Sequence, residues 1–364
     1  MDVERILAAT EDIITPVAVV DKEVVERNLA RMAKLAAVNR VKLRPHAKTH
    51  KSAYMAQRQM AHGAVGLTCA TFTEAEVFAD AGVDDLLIAH PPVGRPKLER
   101  LAALATRVKR LAVSLDDVDI AISLPATVEV LWEVDPGQHR IGTAPGEPTV
   151  KAVQELVRAI GTRRFRGLIT HGGHVYAATN QMERQLAANQ ETDCVSTTAE
   201  MLRSAGIDVR ELSIGSTPTA GLALRGWITE IRPGTYIYGD ANQVTLGSQR
   251  LEDCALAVVA TVVSTPAQDR AVVDAGSKAL SADLKVAGLA GCGMVLSHPE
   301  ITVARLSEEH AVLTASERTM LRAGDRLAIV PSHVCTVVNL HPAVRLASGA
   351  SMPKWIEVDA HGWR

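Results

Sequence analysis

Between residues 41 and 232 short apolar runs alternate with longer amphipathic ones, and this repeat restricts the fold more than any other feature of the chain. The apolar runs fall at residues 41–45, 65–69, 85–89, 108–114, 128–134, 166–171, 209–214 and 227–231. Runs of that length, separated by helical stretches, read as strands of βα units and call for a parallel sheet. Eight such units are the count of a (β/α)8 TIM barrel. A doubly wound sheet would need fewer strands and a switch point in their order.

The helical stretches carry their own start and stop signals. Residues 21–38 read as a helix with Asp21 as N-cap and apolar Val24, Val25, Leu29, Met32 and Leu35 on one face. Residues 73–81 read as another, with Thr73 as N-cap, Glu76 three residues on and Gly82 just past the end. Residues 149–160 and 181–205 continue the series, the latter closed by Gly206. Near Gly239 the pattern changes. The apolar runs at 257–264, 270–274, 301–306, 311–314, 326–331 and 336–340 are β-type, with turn residues between them. The expected organisation is therefore a barrel over 21–239 and a C-terminal all-β domain over 240–364. The N-terminal segment 1–20, which the barrel does not need, is expected to pack with the β domain through residues 17–20.

Composition excludes several classes of function. Hydrophobic residues make up 47% of the 364, enough for a large core, while aromatics are 3% and the net charge is -2. A chain with no basic stretch longer than a few residues and few aromatics is not built to bind nucleic acid. No apolar run reaches the ~18 residues of a membrane span, and the acidic start of the chain is wrong for a signal peptide. The five cysteines (69, 194, 254, 292 and 335) are scattered and form no C-x-x-C pair, so a reducing, cytoplasmic setting is expected.

Four segments concentrate chemistry. Arg44-Pro45-His46-Ala47-Lys48-Thr49-His50-Lys51 follows the first barrel strand, and barrel active sites lie at the C-terminal ends of strands. Taken alone it reads either as a solvated basic loop or as a loop that aims Lys48 into the barrel mouth, where a desolvated lysine can form a Schiff base. Ile169-Thr170-His171-Gly172-Gly173-His174-Val175-Tyr176 follows the sixth strand. It is either a turn with a core histidine or a source of acid/base groups. Ile214-Gly215-Ser216-Thr217-Pro218-Thr219 and Arg232-Pro233-Gly234-Thr235-Tyr236 end the seventh and eighth strands, where barrels frequently bind phosphate. A lysine after strand one and a phosphate cradle after strands seven and eight suggest pyridoxal 5′-phosphate.

On these segments the chain resembles the fold-type III pyridoxal-phosphate enzymes, the alanine racemase-like barrel, and within them the D-threonine aldolase and D-serine dehydratase group. The lysine segment matches that group's motif, and Asp135-Pro136-Gly137-Gln138-His139-Arg140-Ile141-Gly142 is similar to the segment whose arginine faces the cofactor. The resemblance runs from about residue 15 to the last β strand. It implies that Lys48 carries the cofactor, that Ser216, Thr217, Gly234 and Thr235 hold its phosphate, and that His171 lies beside its ring. Arg140, Tyr176 and Tyr236 would line the pocket, and Arg232 occupies the position from which alanine racemases address the ring nitrogen.

In the β domain, His333 and Cys335 stand two apart in a run read as a strand, which would put both on one face. Imidazole and thiolate suit zinc, although two ligands are too few for a closed structural site and a buried free cysteine is the alternative. The resemblance implies that they are the divalent-metal pair of the dehydratase-like domain, with zinc favoured over manganese or magnesium. His341 is a third ligand by proximity alone. The implied activity is that of a pyridoxal-phosphate- and metal-dependent lyase acting on D-3-hydroxy amino acids. The first reading is β-elimination, as in D-serine or 3-hydroxyaspartate dehydratases. The alternative is retro-aldol cleavage, as in D-threonine aldolase, with His174 as base. An amino-acid racemase or a non-catalytic cofactor carrier fits less well, because neither uses the metal pair. The resemblance also implies a homodimer.

Overall fold

A computed structural model describes residues 1–283, 285–349 and 351–362. By internal contacts it divides into two compact units. One comprises residues 1–30, 49–54 and 235–362, and the other residues 31–48 and 55–234.

The chain begins with α1 (Val3–Ala8), capped by Asp2, whose carboxylate accepts from the Arg5 N–H. β1 (Val17–Asp21) follows, a fully buried run of β-branched residues, and then α2 (Lys22–Val38). The Asp21 carboxylate accepts from the backbone N–H of Glu23 and Val24, so the expected cap is present.

The larger unit is a parallel barrel of β2 (Lys42–Leu43), β3 (Leu67–Cys69), β4 (Asp85–Ile88), β5 (Arg110–Leu115), β6 (Glu129–Glu133), β7 (Phe165–Ile169), β8 (Glu211–Ile214) and β9 (Glu230–Ile231). From β3 to β9 each strand pairs with the next, and β9 pairs with β2. The seam between β2 and β3 is closed by a parallel bridge from His46 to Thr68, with the Thr68 N–H donating to Pro45 O at 2.8 Å. The intervening helices are α3 (Ala53–Ala61), α4 (Phe72–Asp80), α5 (Arg95–Ala105), α6 (Val118–Ser123), α7 (Glu147–Ile160) and α8 (Gln181–Ser204). The expected cap of α4 is corrected. Thr71, not Thr73, caps it by accepting from the Glu74 N–H, and Glu74 returns to the Ala70 N–H. Thr73 and Glu76 are instead occupied by the Arg100 guanidinium of α5.

Inside the barrel an ion network runs across six strands, β4 to β9, and takes in Arg44 just after β2. Arg44 meets Asp85 and Glu230, Arg110 meets Asp85, Glu129 and Glu211, and Arg166 meets Glu129 and Glu211. The Arg44 and Glu230 side chains are only 2% and 0% exposed. Arg44, read in the sequence as part of a basic functional loop, is thus a core residue.

The other unit adds α9 (Ala241–Thr245), β10 (Leu256–Ala267), β11 (Arg270–Val273), α10 (Ser277–Leu280), β12 (Gly293–Val295), β13 (Ile301–Leu306), β14 (Ala311–Ala315), β15 (Arg326–Pro331), α11 (Val334–Leu340), β16 (Ala343–Ala347) and β17 (Lys354–Glu357). With β1 these strands form a nine-stranded, mostly antiparallel sheet, in which β1 lies between β10 and β16. The strand expected at 336–340 is a helix. Pro331 ends β15, the Asp240 carboxylate accepts from the Val334 N–H, and the buried Val334, Val337 and Val338 have helical spacing. Among the described residues no helix is long and apolar enough to cross a membrane.

Candidate active site

The C-terminal ends of the barrel strands surround a cavity of about 550 Å³. His46 and Lys48 reach it from the segment after β2, Ala70 from β3, Ala89 and His90 from β4, Glu133 from the end of β6, and His171 from beyond β7. Gly215 follows β8 and Arg232 follows β9. Every strand-end lining residue sits where its strand stops, so the closed barrel itself converges them.

Lys48 stands in a single 3-10 turn, Ala47–Thr49. Arg140 lies on a loop pinned by Asp135, which accepts from the Gly137 and His139 N–H groups at 2.9 and 3.0 Å. Burial opposes ionisation of Asp135, but those backbone donors hold its pKa below the ordinary value. Nothing comparable ties down the Arg140 guanidinium itself, which makes no hydrogen bond or ion pair among the described residues.

His171 Nδ1 lies 2.8 Å from Gly215 O. A carbonyl only accepts, so Nδ1 carries the proton and Nε2 is left as an acceptor. Burial first, then the cations Lys48 and Arg140, bring its pKa down to about 3, so the ring is neutral at physiological pH. His46 is held well below its usual value by the same causes, burial and then Lys48 and His171. Arg232 is buried and donates to Ser213 Oγ at 2.6 Å and to Thr170 O. Burial lowers its pKa, against the attraction of Glu133 and Glu230.

The glycine loop after β8 has a steric reason. Gly215 has φ +145°, and a Cβ there would lie 2.6 Å from the Arg232 N. Its N–H donates to Glu191, a fully buried residue of α8 whose carboxylate also accepts from the Gly172 N–H and the Thr219 hydroxyl, at 2.9, 2.8 and 2.7 Å respectively. One carboxylate therefore fixes the loops after β7 and β8 together. Ser216 is buried beside it, with its hydroxyl 2.9 Å from that of Thr219, and Thr217 follows.

Of the expected residues, the cavity brings together Lys48, Arg140, His171 and Arg232, with Ser216 and Thr217 directly after its Gly215 wall. Tyr176 and His174 share a short turn, Gly173–Ala177, and the lining includes neither. Both ring nitrogens of His174 are shielded and make no hydrogen bond. Gly234, Thr235 and Tyr236 follow β9 and are buried. Sequence reading missed Glu133, Glu191, His46, His90 and Lys97. The position of Glu133 at the end of the fifth expected strand was a usable signal. Glu191, in mid-helix with no motif around it, gave none.

In the other unit His333 is the N-cap residue of α11 and Cys335 lies in its first turn. His333 Nδ1 is 2.5 Å from an Asp283 carboxylate oxygen. Burial would lower the His333 pKa, but the Cys335 sulfur, Asp240 and Asp283 raise it to about 10. The imidazole and the sulfur interact across the start of a helix, and the expectation of a strand with both on one face is corrected. The Thr49 hydroxyl lies 3.2 Å and that of Thr235 3.8 Å from Cys335 Sγ. His341 gives its Nε2 to Ala279 O at 3.1 Å, away from a ligand role. Among the described residues no three His, Cys, Asp or Glu side chains converge on one point.

Comparison with known proteins bears on both units. The alanine racemase N-terminal domain family matches residues 20–242, and the putative serine dehydratase domain matches residues 255–346. D-threo-3-hydroxyaspartate dehydratase of Delftia sp. is 35% identical, covering 96% of this chain and 98% of its own. D-threonine aldolase of Arthrobacter sp. is 32% identical over 96% and 93%. Among solved structures, the D-threonine aldolase of Filomicrobium marinum superposes with a TM-score of 0.87 at 34% identity, over 96% of each chain. A D-threo-3-hydroxyaspartate dehydratase variant with one cysteine replaced by alanine, solved in the metal-free form, gives 0.88 at 32%, over 97% and 99%.

Proposed function

The chain belongs to the alanine racemase-like family, in the group that holds the D-threonine aldolases and the D-serine and 3-hydroxyaspartate dehydratases, and on that premise we propose that it is a pyridoxal-phosphate- and metal-dependent lyase that eliminates water from D-3-hydroxy amino acids. The observation that carries the reading is the convergence of Lys48, Arg140, His171 and Arg232 on one cavity at the barrel mouth.

The residues present fit the cofactor. The cavity offers a lysine amine, a guanidinium with no partner of its own, and a neutral imidazole. The Gly215 loop next to it leaves no room for a side chain. Lys48 would hold the cofactor, and its amine is the base for the substrate α-proton. Ser216, Thr217, Gly234 and Thr235 would supply hydroxyl and backbone donors to the phosphate. His171 would lie against the ring, and its neutrality adds no positive charge there. Arg140, Tyr176 and Tyr236 would line the pocket, and Arg232 would face the ring nitrogen. Pyridoxal phosphate, when bound, supplies a sink for the electron pair left at Cα.

His333 and Cys335 would hold the divalent ion, with zinc favoured by the thiolate. An ion there supplies Lewis acidity toward a hydroxyl group. The metal-free form of a cysteine variant of a D-threo-3-hydroxyaspartate dehydratase supports a cysteine ligand. The match to the serine dehydratase domain and to a 3-hydroxyaspartate dehydratase supports dehydration as the first reading, with retro-aldol cleavage, His174 acting as base, as the alternative. A homodimer in the cytoplasm completes the reading. Incubation with D-threonine tests it. Elimination yields 2-oxobutanoate and ammonia, whereas glycine and acetaldehyde as sole products would establish the aldolase reading instead.

A further inference from the structure

The cavity carries more positive charge than its own carboxylates answer. Lys48, Lys97, Arg140 and Arg232 all line it. Its one lining carboxylate is Glu133, which accepts from the Ser114 hydroxyl and faces Arg232 and Arg140. Among the described residues the Lys97 ammonium has no ion-pair or hydrogen-bond partner. Lys97 stands in the first turn of α5, which contains no acidic residue. The next acidic residue on that helix, Glu99, is taken by Arg95 at 3.5 Å. His90, from the same connection between β4 and α5, senses both Lys97 and Arg140, which add to burial in lowering its pKa. Pro91 and Val93 complete this wall.

The glycine loops follow β8 and β9, and Arg140 follows β6. Lys97 and His90 belong to a separate segment, and they remain unanswered. We infer that Lys97, with His90, forms a subsite for a second carboxylate at the far end of the substrate, so that the chain selects D-3-hydroxy amino acids of the 3-hydroxyaspartate class over D-serine and D-threonine. The inference rests on reading the barrel mouth as the D-amino-acid site.

The test is calorimetric titration of the holoenzyme with D-aspartate and D-alanine, which differ in the distal carboxylate and lack the hydroxyl that elimination needs. D-aspartate is expected to bind the wild type about tenfold or more tightly than D-alanine, as one charge-assisted hydrogen bond provides. Lys97→Met should weaken D-aspartate by that factor and leave D-alanine within about twofold, while Lys97→Arg should retain the preference. Equal weakening of both ligands in Lys97→Met would make Lys97 an α-carboxylate or structural residue and overturn the subsite. So would a wild type that binds the two alike. Ammonia release from D-threo-3-hydroxyaspartate by the wild type reads the proposed function separately, so an active enzyme with no preference for D-aspartate refutes the subsite alone.

Discussion

The Thr49 hydroxyl lies 3.2 Å from Cys335 Sγ, and Thr49 is the residue that follows Lys48 in the chain. Thr49 is fully buried, whereas Cys335 is partly exposed. A hydroxyl donor stabilises the thiolate over the thiol and fixes the direction of the sulfur lone pairs.

If Cys335 is a metal ligand, Thr49→Val should weaken metal retention by about 10–100-fold, the usual effect of removing a partner of a ligand. Competition with a chromophoric chelator measures this without recourse to activity. Unchanged affinity would show that the contact is only packing.

His333→Ala and Cys335→Ala should each abolish turnover while leaving the barrel folded, and chelation of the wild type should do the same. Circular dichroism and activity after metal return check the two halves. Turnover that survives both variants and chelation would remove the metal from the reaction.

How much of this was legible in the sequence depends on which neighbours decide a residue's place. The eight strands were readable because a parallel barrel strand is buried on both faces and leaves an apolar run. Lys48, His171 and Arg232 were readable because strand ends in a barrel aim at its mouth. The segment from Arg44 to Lys51 was not uniform in the way a motif suggests. Arg44 turns to Asp85 and Glu230, Lys48 to the cavity, Thr49 to Cys335, and Lys51 to Asn339. Those partners lie up to hundreds of residues away and left no local trace. The run from Val334 to Leu340 read as a strand because Val and Thr favour one. Its cap by Asp240, almost a hundred residues upstream, made it a helix. Glu191 was invisible for a related reason, since three donors on two distant loops give it its role.

Glu191→Ala should loosen the two loops that it ties. Three buried donors would lose their acceptor, at about 1–3 kcal/mol for each left unsatisfied. The expected result is a folded but less stable protein whose affinity for pyridoxal phosphate falls by about tenfold or more, read from the cofactor absorbance on dialysis.

The buried pair of Arg44 and Glu230 predicts a purely structural loss. Arg44→Met leaves Glu230 charged and without its guanidinium, which should cost about 3–5 kcal/mol in denaturant unfolding. Adding Glu230→Leu should recover part of that loss. A single variant as stable as the wild type would contradict the burial of the pair.

The pH dependence follows from His171, whose pKa falls to about 3 in the folded state. Between the ordinary histidine value and pH 3 the unfolded chain binds the extra proton, so stability falls as pH drops through that window. His171→Gln removes this contribution. The variant should therefore lose less stability than the wild type between pH 7 and pH 4 in chemical denaturation.

The central claim is elimination of water from a D-3-hydroxy amino acid, and the most direct measurement is product identity with D-threo-3-hydroxyaspartate. The account predicts oxaloacetate and ammonia in equal amounts, lost on Lys48→Ala. Glycine and glyoxylate in equal amounts, with no ammonia released, would contradict it.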